Sequence, residues 1–270
     1  MAVTEHDLGA LDGPVLVFGG PYSNLEAAEA VRAEAQRLGV PPARTICTGD
    51  IVAYCADPGA TVALIRDWGI PVVQGNVEEQ LGAGAEDCAC GFTPGSACET
   101  LAAQWYAHAE REVSADDRRW MAGLPRLVRF TLAGRRLAAI HGGVSRINRW
   151  LFASTPAADK LAEIALADAE GVLAGHCGLP FVDFLGGPLW CNAGTVGLPA
   201  NDGTPRVWYA VLTPERTGAI SVILPTIIAK QRKKCVELAS PNPMRGRSGA
   251  GFGRPPTSFR RSSLRRRVVP

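Results

Sequence analysis

A chain of 270 residues, 47% of them hydrophobic, is long enough for one substantial core, and the lack of any apolar run of eighteen residues argues against a membrane-spanning helix. The formal net charge of +2 conceals a division: from Lys230 onward twelve Lys and Arg stand against Glu237 alone, so the first 229 residues form an acidic body near −9. The N-terminus carries Glu5, His6 and Asp7 rather than a basic segment before an apolar one, so a cytoplasmic location is expected, and the eight cysteines are read as reduced or metal-bound rather than as an extensive disulfide framework.

In chain order, Pro14 to Phe18 reads as a short apolar strand followed by the turn Gly19-Gly20-Pro21-Tyr22-Ser23. Asn24 is the natural N-cap for a helix to about Leu38, with Leu25, Ala28, Val31, Ala35 and Leu38 at helical spacing. Strands are predicted at Thr45–Cys47, ending in Gly49-Asp50, and at Pro71–Val73, ending in Gly75-Asn76, with a helix over about Gly59–Trp68 between them. Three strand–turn–helix units in succession predict α/β layering with parallel pairing. Gly82 to Cys98 reads as a loop. Helices follow at Cys98–His108 and Ser114–Met121, the second with a capping-box-like start at Ser114 and Asp117. Leu127–Leu132 and Arg136–Ile140 read as a hairpin around Ala133-Gly134-Arg135. A helix over about Pro156–Ala167 precedes the strand Gly171–Ala174, and the body ends in strands near Val182–Leu185, Leu189–Asn192, Val207–Leu212 and Ala219–Leu224. Two domains result: a folded body over 1–229 and a basic tail over 230–270. Ser240–Pro270 is rich in Arg, Ser, Pro and Gly and is expected to be disordered. Nucleic-acid binding through Arg260-Arg261 and Arg265-Arg266-Arg267 ranks low, because only Phe252 and Phe259 interleave with the charge.

Four of the strand-ending turns present a side chain able to bind a metal: Asp50, Asn76, His141 in Ile140-His141-Gly142, and His176 in Gly175-His176-Cys177. A carboxylate, an amide oxygen and two imidazoles suit a borderline divalent ion such as Mn, Fe, Zn or Ni. Such an ion binds a phosphoryl oxygen and brings the pKa of a bound water toward neutrality. Each residue alone is a weak signal, since a Gly-Asp pair is usually a turn and a strand-end His usually a hydrogen-bonded structural residue. Their order along the chain makes the combination specific.

With these motifs the chain resembles the calcineurin-like metallophosphoesterases, especially their small bacterial phosphodiesterase-like branch. The likeness covers roughly Val15 to Leu224 and includes Asn24-Leu25-Glu26-Ala27, Asp57-Pro58, and Asn192-Ala193-Gly194-Thr195-Val196-Gly197. It implies an α/β fold, a four-layer α-β-β-α sandwich, with the metal site at the strand ends. It also implies Asp50, Asn76, His141 and His176 as metal ligands, with His141 and Asn76 acting in catalysis on a small phosphorylated substrate. The chain departs from the family where Asp-x-His is replaced by Gly20-Pro21-Tyr22 and where Gly-His-x-His becomes Gly175-His176-Cys177-Gly178. Those losses fall on a single ion, so one divalent ion is expected rather than two.

Three readings follow: a hydrolase of phosphomonoesters or phosphodiesters with a mononuclear centre, an inactive member that binds a phosphorylated ligand or a protein partner, or a second site rebuilt from Tyr22 and Cys177 or Cys191. Tyr22 is more simply read as a packing or hydrogen-bonding residue. Val77 stands where relatives carry a proton-donating His; Glu78 or Glu79 is a partial substitute or an ordinary acid at a helix start. Arg146, Asn148 and Arg149 follow the His141 turn, and Arg146 and Asn148 are the candidate substrate-binding side chains. Cys88, Cys90 and Cys98 match no standard metal spacing and read as structural thiols or as a metal or redox lid. His6 and His108 receive no role.

Overall fold

The computed structural model describes residues 3–200, 203–215, 219–228 and 267–268. Its elements in order are β1 (Glu5–Leu11), β2 (Val15–Phe18), α1 (Leu25–Arg37), β3 (Thr45–Cys47), α2 (Pro58–Trp68), α3 (Asn76–Ala83), α4 (Ala97–Glu112), α5 (Ala115–Ala122), β4 (Leu127–Leu132), β5 (Arg135–Ile140), α6 (Ala157–Leu166), β6 (Gly171–Ala174), β7 (Phe181–Phe184), β8 (Leu189–Asn192), β9 (Arg206–Trp208), β10 (Ala210–Pro214), β11 (Ile220–Ile223), β12 (Thr226–Ile228) and β13 (Arg267–Val268). One sheet has six strands in the order β1-β4-β5-β6-β8-β7, and another has five in the order β13-β11-β10-β2-β3; β9 and β12 form a separate ribbon. The pairs β2–β3, β5–β6 and β6–β8 are parallel. Antiparallel pairing joins β4 to β5, β7 to β8, and β10 to both β2 and β11.

Successive side chains of a strand point to opposite faces, so a strand covered on both sides must be apolar throughout. β2 shows why its sequence is an unbroken apolar run. Val15 and Val17 enter the core between the two sheets, while Leu16 and Phe18 enter the core under α1 to α5. All four are fully buried, which at about 1.5–3 kcal/mol per large apolar side chain is a sizeable gross contribution for so short a strand. β5 divides in the same way, with Leu137 and Ala139 between the sheets and Ala138 and Ile140 packed with Ile164 of α6. Three cores therefore separate four layers, giving the α-β-β-α sandwich. Asn24 caps α1 by accepting the Ala27 N–H at 3.1 Å, and its Nδ2 donates to the Gly197 carbonyl at 2.9 Å, tying the helix start to a loop beyond β8.

Three expectations need correction, and one strand had none. Pro71–Val73 contributes only a single bridge, Val72 to Cys47, because Pro71 has no N–H and the Gln74 N–H turns away to Pro125. α3 begins at Asn76 and runs through Gly82, which was read as loop. β1 is an edge strand with mostly exposed residues and so shows no legible alternation. The tail beyond Lys230 lies outside the described residues except Arg267–Val268, which pair with β11 and are strand where disorder was expected. Among the described residues no helix is long and apolar enough to cross a membrane.

Candidate metal centre

The turns after β3, β5 and β6 and the first residue of α3 meet at one point between the sheets. Asp50 and His176 take the left-handed backbone region, with φ of 55° and 59°, a conformation that costs a non-glycine residue energy and clusters at functional turns. A Cβ at Gly175 would lie 2.5 Å from Thr48 Oγ1, so glycine is what lets the ends of the two sheets touch here. His141 Nδ1 donates to the Thr48 carbonyl at 2.6 Å and thereby turns Nε2 inward. Around that Nε2 stand Asn76 Oδ1 at 3.0 Å, His176 Nδ1 at 3.1 Å and Asp50 Oδ1 at 3.4 Å. The Asn76 amide cannot turn over, because its Nδ2 donates to the Cys88 carbonyl at 2.7 Å and faces Cys90 Sγ at 3.6 Å. All four side chains are buried, and Asp50 Oδ1 has no hydrogen-bond partner among the described residues.

Lone pairs aimed at one another repel unless something electropositive sits among them, and one proton satisfies at most two of the four. Donors held at about 2.1 Å from a metal lie about 3.0 Å apart at a right angle and about 3.4 Å apart at the tetrahedral angle. The observed spread of 3.0–3.4 Å fits that requirement. Asp50, His141 and His176 form a candidate metal-holding group, with ligand atoms all within 4.8 Å of one another. Burial works against ionising Asp50, but the charges of His141 and His176 and the Val77 N–H outweigh it and hold the carboxyl below its usual range. Burial likewise pulls His141 down, and the Asp50 carboxylate more than restores it. His176 has no such compensation: burial, then the neighbouring His141, push it down to about 3, which keeps its Nδ1 lone pair available.

A second ring of residues fixes these ligands. Glu78, fully buried, accepts the N–H of Asp50 at 2.8 Å, of Ile51 at 2.8 Å and of Gly75 at 2.9 Å, so one carboxylate clamps the Asp50 turn to the start of α3. Burial and the Asp50 charge push its carboxyl up to about 7, against the pull of His141 and of the backbone donors. Asn192, at the end of β8, donates to the Gly175 carbonyl at 2.6 Å and to Cys177 Sγ at 3.2 Å, holding the His176 turn. Glu163 of α6 accepts the N–H groups of Val144 and Ser145 at 2.7 and 3.0 Å and pairs with Arg149 at 2.5 Å, folding the loop after His141. Neither role is visible in the sequence, where Glu78 reads as a stand-in for a proton donor or an ordinary helix-start acid and Glu163 as one more helical residue.

The remaining candidates fall elsewhere. Cys177 is not among the converging donors, and burial pushes its thiol up to about 11, so it supplies no thiolate. Cys191 lies in the core between the sheets. Tyr22 is buried, its phenol raised well above the ordinary value by burial and then by Asp50, so it offers no phenolate. Asn148 donates its amide to the Ala89 carbonyl at 2.8 Å and anchors a loop, and Arg149 is paired with Glu163 and Asp159, whereas Arg146 is exposed and pairs with no acid among the described residues. Cys88 and Cys90 are joined in a disulfide directly over Asn76, whereas Cys98 is exposed and free. Val77 is a core residue. His108 bonds the Ala56 carbonyl at 3.1 Å, away from the centre.

Two sheets thus lie face to face under helices, with a candidate metal-holding group of an acid and two imidazoles at their strand ends. Residues 23–217 match the calcineurin-like phosphoesterase superfamily domain, and the chain belongs to that superfamily. Uncharacterized protein MJ0912 of Methanocaldococcus jannaschii is 24% identical over 201 residues, covering 71% of this chain and 77% of its own. Among solved structures, hypothetical protein PH1004 from Pyrococcus horikoshii OT3 aligns with a TM-score of 0.60 at 13% identity, over 83% of this chain and 90% of that one. A metallophosphoesterase from Sphaerobacter thermophilus aligns with a TM-score of 0.59 at 22% identity, over 80% and 89%. These likenesses show the fold.

Proposed function

We propose that the protein hydrolyses a small phosphorylated substrate, a phosphomonoester or phosphodiester, at a mononuclear divalent centre held by Asp50, Asn76, His141 and His176. The observation that carries this reading is the inward convergence of four donor atoms whose orientations are fixed from behind by the Thr48 carbonyl, the Cys88 carbonyl and Glu78. Mn, Fe, Zn or Ni suits the two imidazoles and two oxygens. When bound, such an ion supplies Lewis acidity toward a phosphoryl oxygen and an acidified water. The chain's own residues hold the donors rigid, keep His176 unprotonated, and bring Arg146 to the loop beside the site.

Metal analysis of the purified protein, with turnover of bis-p-nitrophenyl phosphate and p-nitrophenyl phosphate under each ion, tests the reading. One ion per chain is expected, with turnover lost at least a hundredfold in His141→Ala and His176→Ala, roughly the effect of removing a principal catalytic group. Absence of both uptake and turnover, unaffected by the substitutions, refutes it. The competing reading, an inactive binder of a phosphorylated ligand or protein, draws on the burial of all four ligands; it predicts uptake without turnover.

A further inference from the structure

Tyr22 sits where the resemblance loses its second set of ligands, and the structure shows what replaced them. A Cβ at Gly20 would lie 2.5 Å from Tyr22 Cζ, with Cε1 and Cε2 at 2.6 and 3.0 Å, so the phenol ring covers that glycine. A Cβ at Gly178 would lie 3.7 Å from the Tyr22 hydroxyl oxygen. One aromatic side chain thus lies against both lost ligand positions, and Gly20 is the room it requires. Its edge meets Tyr54 at 5.0 Å between ring centroids, which holds the plane of the ring. The residue adopts φ of 54°, a left-handed strain that burial and the Tyr22 N–H bond to the Asp50 carbonyl keep in place.

The hydroxyl is the unresolved part of this arrangement. Tyr22 is 7% exposed, yet its Oη makes no hydrogen bond among the described residues. The Oη is not among the buried atoms left without a partner, so it opens to solvent and is free to donate to a ligand there. The Tyr22 N–H bond to the Asp50 carbonyl at 3.2 Å, and the closeness of the hydroxyl to Gly178, two residues from His176, place it beside the centre. Replacing an ion by a neutral donor also changes the charge that the site can accept. One divalent ion and Asp50 sum to a single positive charge at most, which matches a phosphoester with one negative charge better than one with two.

Resting on the reading of the centre as a phosphoester site, we propose that Tyr22 is a substrate-contacting residue whose hydroxyl donates to the phosphoryl group in place of a second ion, and that the site selects singly charged phosphoesters. Tyr22→Phe keeps the ring against Gly20 and removes only the hydroxyl. The manganese-loaded wild type and variant are titrated by calorimetry with dimethyl phosphate, which carries one charge, and with methyl phosphate, which carries two at pH 8. Metal content is measured on the same samples. Expected are one ion per chain in both proteins, tighter binding of dimethyl phosphate by the wild type, and a loss of about ten- to a hundredfold for that probe in the variant. Equal affinity of the two proteins, preference for methyl phosphate, no binding of either probe to the loaded wild type, or two ions per chain overturns the proposal while leaving a metal centre in place. No ion in either protein overturns the reading of the centre itself.

Discussion

Glu78 is the residue whose removal tests the architecture of the centre most directly. Its two carboxylate oxygens accept three backbone N–H groups, from Asp50, Ile51 and Gly75, in a place fully closed to water. In Glu78→Gln the amide oxygen can keep the Asp50 and Gly75 donors only by presenting its NH2 to Ile51, which leaves one buried N–H without an acceptor. A single such loss costs about 1–3 kcal/mol. Glu78→Ala strands all three donors, so its cost exceeds about 3 kcal/mol even if water enters the space. Urea unfolding of the metal-free proteins, followed by circular dichroism, reads both numbers. Metal affinity reads the second consequence: with Asp50 and Asn76 no longer clamped together, uptake weakens by roughly 10–100-fold, as for other partners that orient ligands from behind. If Glu78→Ala unfolds within 1 kcal/mol of the wild type and binds metal as tightly, the clamp described above is wrong.

Further outcomes follow from the same geometry. Gly20→Asp alone drives a side chain into the Tyr22 ring at 2.5 Å and at a φ of 44°, and destabilises by about 2 kcal/mol or more. The triple change Gly20→Asp, Tyr22→His, Gly178→His removes that ring and is expected to take up two ions per chain by elemental analysis; a count of one refutes the view that Tyr22 fills the lost half-site. His176, depressed from 6.5 to about 3, gives a pH signature in the metal-free protein. Between those values the unfolded chain binds a proton that the native chain refuses, so this contribution is complete above pH 6.5 and lost as pH falls toward 3, at up to about 1.4 kcal/mol per pH unit. Stability curves of wild type and His176→Phe, measured across that window, diverge by this slope; parallel curves contradict the assignment.

The parts legible in the sequence were those governed by local pattern. β2, β6 and residues 137–140 of β5 are continuous apolar runs because both faces are covered, and each ends where a glycine or histidine interrupts the run. Such interruptions, with Gly49 after β3, marked the turns carrying Asp50, His141 and His176. What escaped reading depends on contacts distant along the chain. Glu78 looked like an acid at a helix start, yet two of its partners lie 27 and 28 residues earlier. Asn148 looked available to a substrate, whereas its amide is spent on Ala89, 59 residues away. The Cys88–Cys90 pair follows no ligand spacing because the two cysteines bond to each other, and the short loop they close holds Asn76 through a carbonyl, a group that no side-chain motif records.

The ligands are divided between the two sheets. Asp50 and Asn76 follow the edge strand β3 and its bridge to Val72, while His141 and His176 hang from β5 and β6 at the centre of the other sheet. Whatever engages all four side chains therefore rivets the two halves of the sandwich at one end, joining segments from residue 50 to residue 176 across the core. Opening the sheets away from each other then requires releasing that rivet first, so occupancy of the centre is felt as mechanical rigidity in strands that touch no ligand at all.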